Sequence, residues 1–215
     1  HLYLFDNEIT TNNPSELLES QKSRRNFPNT LSVVEIEEIL NTVNTEVFIG
    51  IRDLAILSLL YSSGMRVSEL INLEFSNLFL DEEYIKIMGK GKKERLVPVG
   101  LKAKEHLINY IEKARKKNNL NNSKGCIFLS YRAKPMTRMA VFNLIKKYCI
   151  LAGIDKKVSP HTFRHSFATH MLEGGADLRI VQEILGHENI NTTEIYTHLD
   201  RTYLKEVHKL CHPRG

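Results

Sequence analysis

The stretch "SPHTFRHSFATHML", residues 159–172, places three histidines and an arginine where the local signals predict a helix. Ser159 is a favoured N-cap, Pro160 suits the first helical position, and Gly174 with Gly175 ends the run. His161, Arg164 and His165 therefore fall in the first turns, at the end that the helix dipole makes partly positive. A cation there is unfavourable by about 0.3–1 kcal/mol, so an anionic partner is expected. The N–H groups of a helix start already favour anions, and Arg164 beside them suits a phosphate or a carboxylate. The competing reading is a surface helix with solvated charges and packed histidines. The stretch alone leaves both open.

At 215 residues, 42% of them hydrophobic and 26% charged, the chain has a globular composition and the length for one main domain with an appendage. No run approaches the roughly 18 apolar residues of a membrane span. The opening "HLYLFDNEIT" is acidic and too short for a signal peptide, and a first residue other than Met suggests a piece of a longer chain. Cys126, Cys149 and Cys211 are widely separated and form no CxxC, which argues against a disulfide framework or a zinc finger and fits a reducing, cytoplasmic setting.

The net charge of +5 hides a segregation. Between Lys86 and Lys157 there are 19 Lys and Arg against 4 Asp and Glu, whereas the remainder holds 11 basic and 21 acidic residues. An imbalance so localised favours a polyanion, DNA or RNA, as partner.

Residues 1–29 read as the end of an apolar element followed by the polar linker "TTNNPSELLESQKSRRNFPN", and the domain proper spans residues 30–215. Within it "SVVEIEEILNTV" opens with a Ser32–Glu35 capping box, "RDLAILSLLYSSG" is a strongly apolar helix ended by Gly64, and "RVSELINL" is a shorter helix behind it. "YIKIMGKGKKERLVPV" has two alternating runs around a Gly- and Lys-rich turn, a β-hairpin pattern, and "CIFLS" is a candidate third strand. Helices are also predicted at "LKAKEHLINYIEKARKK", "TRMAVFNLIKKYCILAG", "DLRIVQEILG" and the tail "RTYLKEVHKLC". The fold class is mainly α with a small antiparallel β-sheet.

Arg66 at a helix start, Lys90 on the hairpin turn, His187 past a helix end and Tyr196 beyond it are each ordinary alone. Converging on one phosphodiester with His161 and Arg164, they form a chemical set. Two guanidinium forks fit the non-bridging oxygens, imidazoles donate or handle protons, Lys90 protonates a departing alkoxide, and Tyr196 is the nucleophile. Such a set needs no metal, and the sequence shows no carboxylate cluster for Mg²⁺. His161 and His165 do have the i, i+4 spacing of zinc ligands. However, the Glu of HExxH is missing, and Arg164 between them would set a cation beside the metal. His165 and His170 are instead expected to be structural, packed under the helix or bonded to backbone.

The segments "SGMRVSELINL", "GKGKKERLVPVG", "SPHTFRHSFATHMLEGGADLRIVQEILGHENINTTEIYTH" and the closing "HPRG" resemble the catalytic domain of tyrosine recombinases, and within them the bacterial Xer group. The resemblance runs from about Asn13 to the C-terminus. It implies the catalytic-domain fold of that family and an active site of Arg66, Lys90, His161, Arg164, His187 and Tyr196, with Glu69 as a buried support for the arginines. It implies site-specific strand exchange on double-stranded DNA without cofactor, through a 3′-phosphotyrosyl link. It further implies a tetramer on two DNA sites, formed with itself or a paralogue, a DNA translocase as a possible activator, and a place at the nucleoid. Chromosome dimer resolution is the expected role. A phage or transposon integrase of the same family and a catalytically silent DNA-binding regulator are the alternatives. Lys92, Lys93, Arg95, Arg132, Lys134 and Arg138 are the expected DNA contacts. The tail stripe Tyr203, Leu204, Val207, Leu210 and Cys211 is either packed on its own domain or, as in the family, docked on a neighbouring protomer.

Overall fold

The computed structural model describes Ile9 and residues 30–88, 94–115, 125–186 and 198–215, the last of these without the side chains of 198–200. Helix α1 (Val33–Asn41) begins as its sequence directs. Ser32 Oγ accepts from the Glu35 N–H at 3.2 Å while Glu35 Oε2 accepts from the Ser32 N–H at 2.7 Å, a reciprocal cap. Helix α2 (Phe48–Ser63) starts at Phe48 rather than at Arg52 and buries Ile51, Ala55, Ile56, Leu57, Leu59, Leu60 and Tyr61. These residues point in every direction around the axis, the pattern of a helix enclosed by the rest of the domain. The short α3 (Val67–Ile71) follows after a reversal at Gly64.

Three antiparallel strands form one sheet in the order β1 (Leu78–Phe79), β2 (Tyr84–Met88), β3 (Glu94–Pro98). The hairpin was expected; its third strand is Leu78–Phe79 and not "CIFLS". That segment instead makes two isolated bridges, Glu74 to Cys126 and Leu129 to Pro135. Helix α4 (Leu101–Asn109) passes into a π-helical turn over Tyr110–Arg115, and α5 (Arg138–Leu151) is capped by Thr137, whose side chain accepts from the Ala140 N–H at 3.1 Å. Helices α6 (Pro160–Glu173) and α7 (Leu178–Leu185) follow, the latter capped by Asp177 and closed by Gly186 at φ 67°. A continuous buried apolar cluster runs from Leu31 to Leu204 and includes residues of all these helices. Among the described residues no helix is long and apolar enough to cross a membrane.

The tail helix α8 (His198–Cys211) lies against α6 and β3 of its own domain. Its inner face is Leu204, His208 and the following His212, whereas Tyr203 is 57% and Leu210 83% exposed. Of the expected stripe, Leu204 is buried and Val207 and Cys211 pack partly buried against the core, whereas Tyr203 and Leu210 face outward and histidines take the remaining inner places. His208 Nε2 donates to Ser62 O at 2.7 Å, and the rings of His208 and His212 stack 4.9 Å apart. Gly174 lets the tail approach, since a Cβ there would lie 2.1 Å from Cys211 O.

Burial holds the His208 imidazole down to about 4, with its bond to Ser62 opposing, and burial with the neighbouring His208 holds His212 well below its ordinary value. Both rings stay neutral when folded but bind protons when unfolded below about pH 6.5. The unfolded state therefore gains protons first, and stability falls as pH drops from about 6.5 toward 4. His208→Gln keeps a donor for Ser62 and removes one titrating ring. Urea unfolding at about pH 7 and about pH 5 should show a smaller acid loss in the variant, and an equal loss would contradict this assignment.

Candidate active site

Arg164 is 8% exposed. Its Nη1 donates to Gly64 O at 2.7 Å and its Nη2 to Leu185 O at 2.7 Å. Gly64 is the left-handed C-cap of α2, and Leu185 is the last residue of α7. Two of the Arg164 N–H groups thus meet the partly negative carbonyl ends of two other helices. Burial, then repulsion from Arg66 and Arg95 against the attraction of Glu69, brings the Arg164 guanidinium down to about 10, so it stays charged at neutral pH.

Two further arginines meet the same helix end. Arg66, at the N-cap of α3, donates from Nη2 to Gly186 O at 3.3 Å; its side chain is 42% exposed. Arg95 donates from Nε to Ile184 O at 3.0 Å. Three successive carbonyls, those of Ile184, Leu185 and Gly186, therefore take one arginine each.

Glu69 ties two of these arginines together. Its carboxylate accepts both arms of the Arg95 fork at 2.9 Å, Arg66 Nη1 at 3.1 Å and the Arg66 backbone N–H at 2.7 Å. Burial alone would raise this carboxyl, but the hydrogen bonds and charge of Arg95, with the bonds from Arg66, hold it below the usual range. Glu69 was read as a support for the arginines; its partners are Arg66 and Arg95.

Arg95 was expected to face DNA, and the structure corrects this: it is 7% exposed and committed to Glu69 and Ile184. Alternation along β3 carried the signal. Arg95 shares the inner face with Val97, opposite Ile87 and Ile85 of β2. The Arg66–Glu69 spacing likewise marks a helix start at which Glu reaches back to the first N–H.

His161 is exposed one position into α6 from Pro160. His165 is exposed too, against the expectation that it packs under the helix, whereas His170 is buried with Nδ1 2.8 Å from Tyr61 Oη. Among the described residues no three of His, Cys, Asp and Glu gather as a metal-holding group. Arg132, Lys134 and Arg138 are exposed on and just after the turn that precedes α5, with the Arg132 guanidinium over the Tyr131 ring at 5.1 Å. Lys90, Lys92, Lys93, His187 and Tyr196 lie outside the described residues.

Gly64 sets one acceptor for Arg164 at φ 57°, and a Cβ there would come 2.5 Å from Phe167 Cδ1 and 2.8 Å from Leu185 Cδ2. Gly64→Ala should lower the unfolding free energy by about 1–3 kcal/mol in urea titrations, from left-handed strain and crowding together. A loss below about 0.5 kcal/mol would show that neither limits this turn.

A family model described as the phage integrase family matches residues 29–202. Tyrosine recombinase XerD of Chlorobaculum tepidum is 46% identical over 219 residues, covering 100% of this chain and 72% of that protein. The crystal structure of XerA recombinase superposes with a TM-score of 0.68 at 32% identity, over 92% of this chain and 68% of that one. XerH site-specific recombinase bound to palindromic difH substrate, a post-cleavage complex, gives a TM-score of 0.68 at 26% identity over 86% of this chain and 54% of that one. With that family match over most of its length and identity to a relative along all of it, the chain belongs to the phage integrase family, as a Xer-type tyrosine recombinase.

Proposed function

We propose that residues 30–215 are the catalytic domain of a site-specific DNA recombinase that cuts and rejoins strands through a 3′-phosphotyrosyl intermediate, and that its task is chromosome dimer resolution. The observation that carries this reading is the placement of Arg66 and Arg164 on adjacent carbonyls, Gly186 and Leu185. Those bonds engage only part of each planar fork, and Arg66 is open to solvent. Two fixed guanidiniums side by side suit the non-bridging oxygens of one phosphate as its charge grows in the transition state.

In this mechanism the Tyr196 oxygen attacks the scissile phosphorus, and its phenolic proton passes to an imidazole. The bond to the 5′-oxygen breaks as the bond to tyrosine forms, and Lys90 gives a proton to the departing 5′-oxygen, which leaves as a hydroxyl. Of His161 and His187, the one that does not take the phenolic proton donates to a phosphoryl oxygen. The 5′-hydroxyl of a partner strand then attacks the phosphotyrosine, reversing the step with no net loss of phosphodiester bonds. Four protomers on two DNA sites, with this chain alone or beside a paralogue, would exchange strands in pairs. Arg132, Lys134 and Arg138 meet backbone phosphates and set register without reading sequence.

Nicked suicide DNA substrates, carrying candidate sites from the source replicon, test this in EDTA with the full-length protein and with this chain. An EDTA-resistant covalent band on a denaturing gel, absent in Tyr196→Phe, is expected. No band from full-length protein on a site it demonstrably binds would favour a DNA-binding regulator instead.

A further inference from the structure

The Glu69–Arg95 pair is almost closed to water, with side chains 7% and 8% exposed. Arg66 shares that carboxylate: its Nη1 reaches Oε1 at 3.1 Å, the same oxygen that Arg95 Nη1 holds at 2.9 Å. A carboxylate beside a phosphate-binding arginine creates a conflict. It orients the guanidinium, but it also competes with the phosphate for the same donors and cancels part of the charge that the phosphate needs. In a site poor in water that cancellation is stronger than in bulk solvent.

Arg95 resolves the conflict. Its fork takes both oxygens of Glu69 in the strongest geometry available to the pair, at 2.9 Å each. Arg66, by contrast, meets the carboxylate through a single, longer side-chain bond and is held otherwise by its backbone N–H and by Gly186 O. Glu69 and Arg95 offset each other's charge, so the trio with Arg66 keeps one net positive charge, and Arg66 is its most solvent-exposed member. Arg95 Nε, on Ile184 O, fixes the same helix end that presents Gly186 to Arg66.

We propose that Arg95 is a positioning residue for strand cleavage: by taking up the charge of Glu69 through a bidentate bond, it lets Glu69 orient Arg66 without drawing that guanidinium away from the scissile phosphate. This rests on the reading of Arg66 as a phosphate ligand.

Single-turnover cleavage of the nicked substrate by full-length protein tests it, comparing wild type with Arg95→Met, Arg95→Lys, Glu69→Gln and the Glu69→Gln/Arg95→Met double variant. Arg95→Met, similar in length but uncharged, should cleave at least about tenfold more slowly, while Arg95→Lys, which loses the fork but keeps the charge, should retain most of the rate. Adding Glu69→Gln to Arg95→Met removes the unopposed carboxylate and should restore a large part of the loss, which mere packing damage at position 95 would not allow. Cleavage by Arg95→Met within about twofold of wild type, or a double variant no faster than Arg95→Met, would overturn the proposal. If Arg95→Met fails to fold, Arg95→Lys decides: a folded Lys variant slowed about tenfold or more removes the charge argument.

A second readout does not depend on cleavage. ¹³C NMR titration should find the Glu69 carboxyl below the usual glutamate range in wild type and raised in folded Arg95→Met, with Arg95→Lys between the two. An unchanged titration would also overturn the proposal. A wild-type protein that gives no tyrosine-dependent adduct yet shows this Glu69 shift would instead reject the recombinase reading while leaving the electrostatic coupling intact.

Discussion

The last carbonyls of an α-helix have no backbone donor within the helix, and together they form the negative end of its dipole. At the end of α7 those groups are met by arginine: Arg95 at Ile184, Arg164 at Leu185 and Arg66 at Gly186. Each contact gives such an acceptor a donor, and each places a positive charge where the dipole favours it by roughly 0.3–1 kcal/mol, more where burial is greater. Lysine could not do this as well, because the remaining edge of a planar fork stays available for a second partner after one N–H is committed.

Three guanidiniums so near one another would repel strongly without compensation. Repulsion is visible in the lowering of Arg164, to which Arg66 and Arg95 contribute after burial itself. Glu69 is the compensating charge, and the helix ends of α2 and α7 supply the rest. The four charged side chains come from α3, β3 and α6, and their backbone acceptors from the ends of α2 and α7, segments far apart in sequence. The charged surface therefore exists only once the enclosed α2 helix has brought these elements together around the core. Folding in this way prepays the ordering of the arginines, so that a phosphate arriving there meets donors already fixed.

Much of this was legible in the sequence where the governing interaction is local. The caps of α1, α5, α6 and α7 depend on residues within one turn, and Ser32, Thr137, Ser159 and Asp177 each cap as their spacing indicates. The arginine pair was legible from chemistry, because the fork of Arg suits phosphate. What could not be read was the destination of Arg164, since helix-end carbonyls have no sequence signature. Arg95 was misread because basic character near a lysine-rich turn outweighed the strand alternation that turns it inward beside Val97. "CIFLS" has strand composition but no long partner, whereas the two residues Leu78–Phe79 pair with Ile85 and Tyr84 because the preceding turn delivers them to the sheet edge. In the tail, His208 and His212 occupy the buried face that a count of apolar residues assigned partly to Tyr203 and Leu210.

One helix end acts as a shared brace for arginines that do not bond to each other. A double-mutant cycle in urea unfolding between Arg95→Met and Arg164→Met measures that sharing. If α7 is the common support, losing one arginine loosens the acceptor of the other, and the two losses should fall short of additivity by more than about 0.5 kcal/mol. Losses that add within about 0.3 kcal/mol would mean that the arginines are held independently, and that the end of α7 does not organise the site.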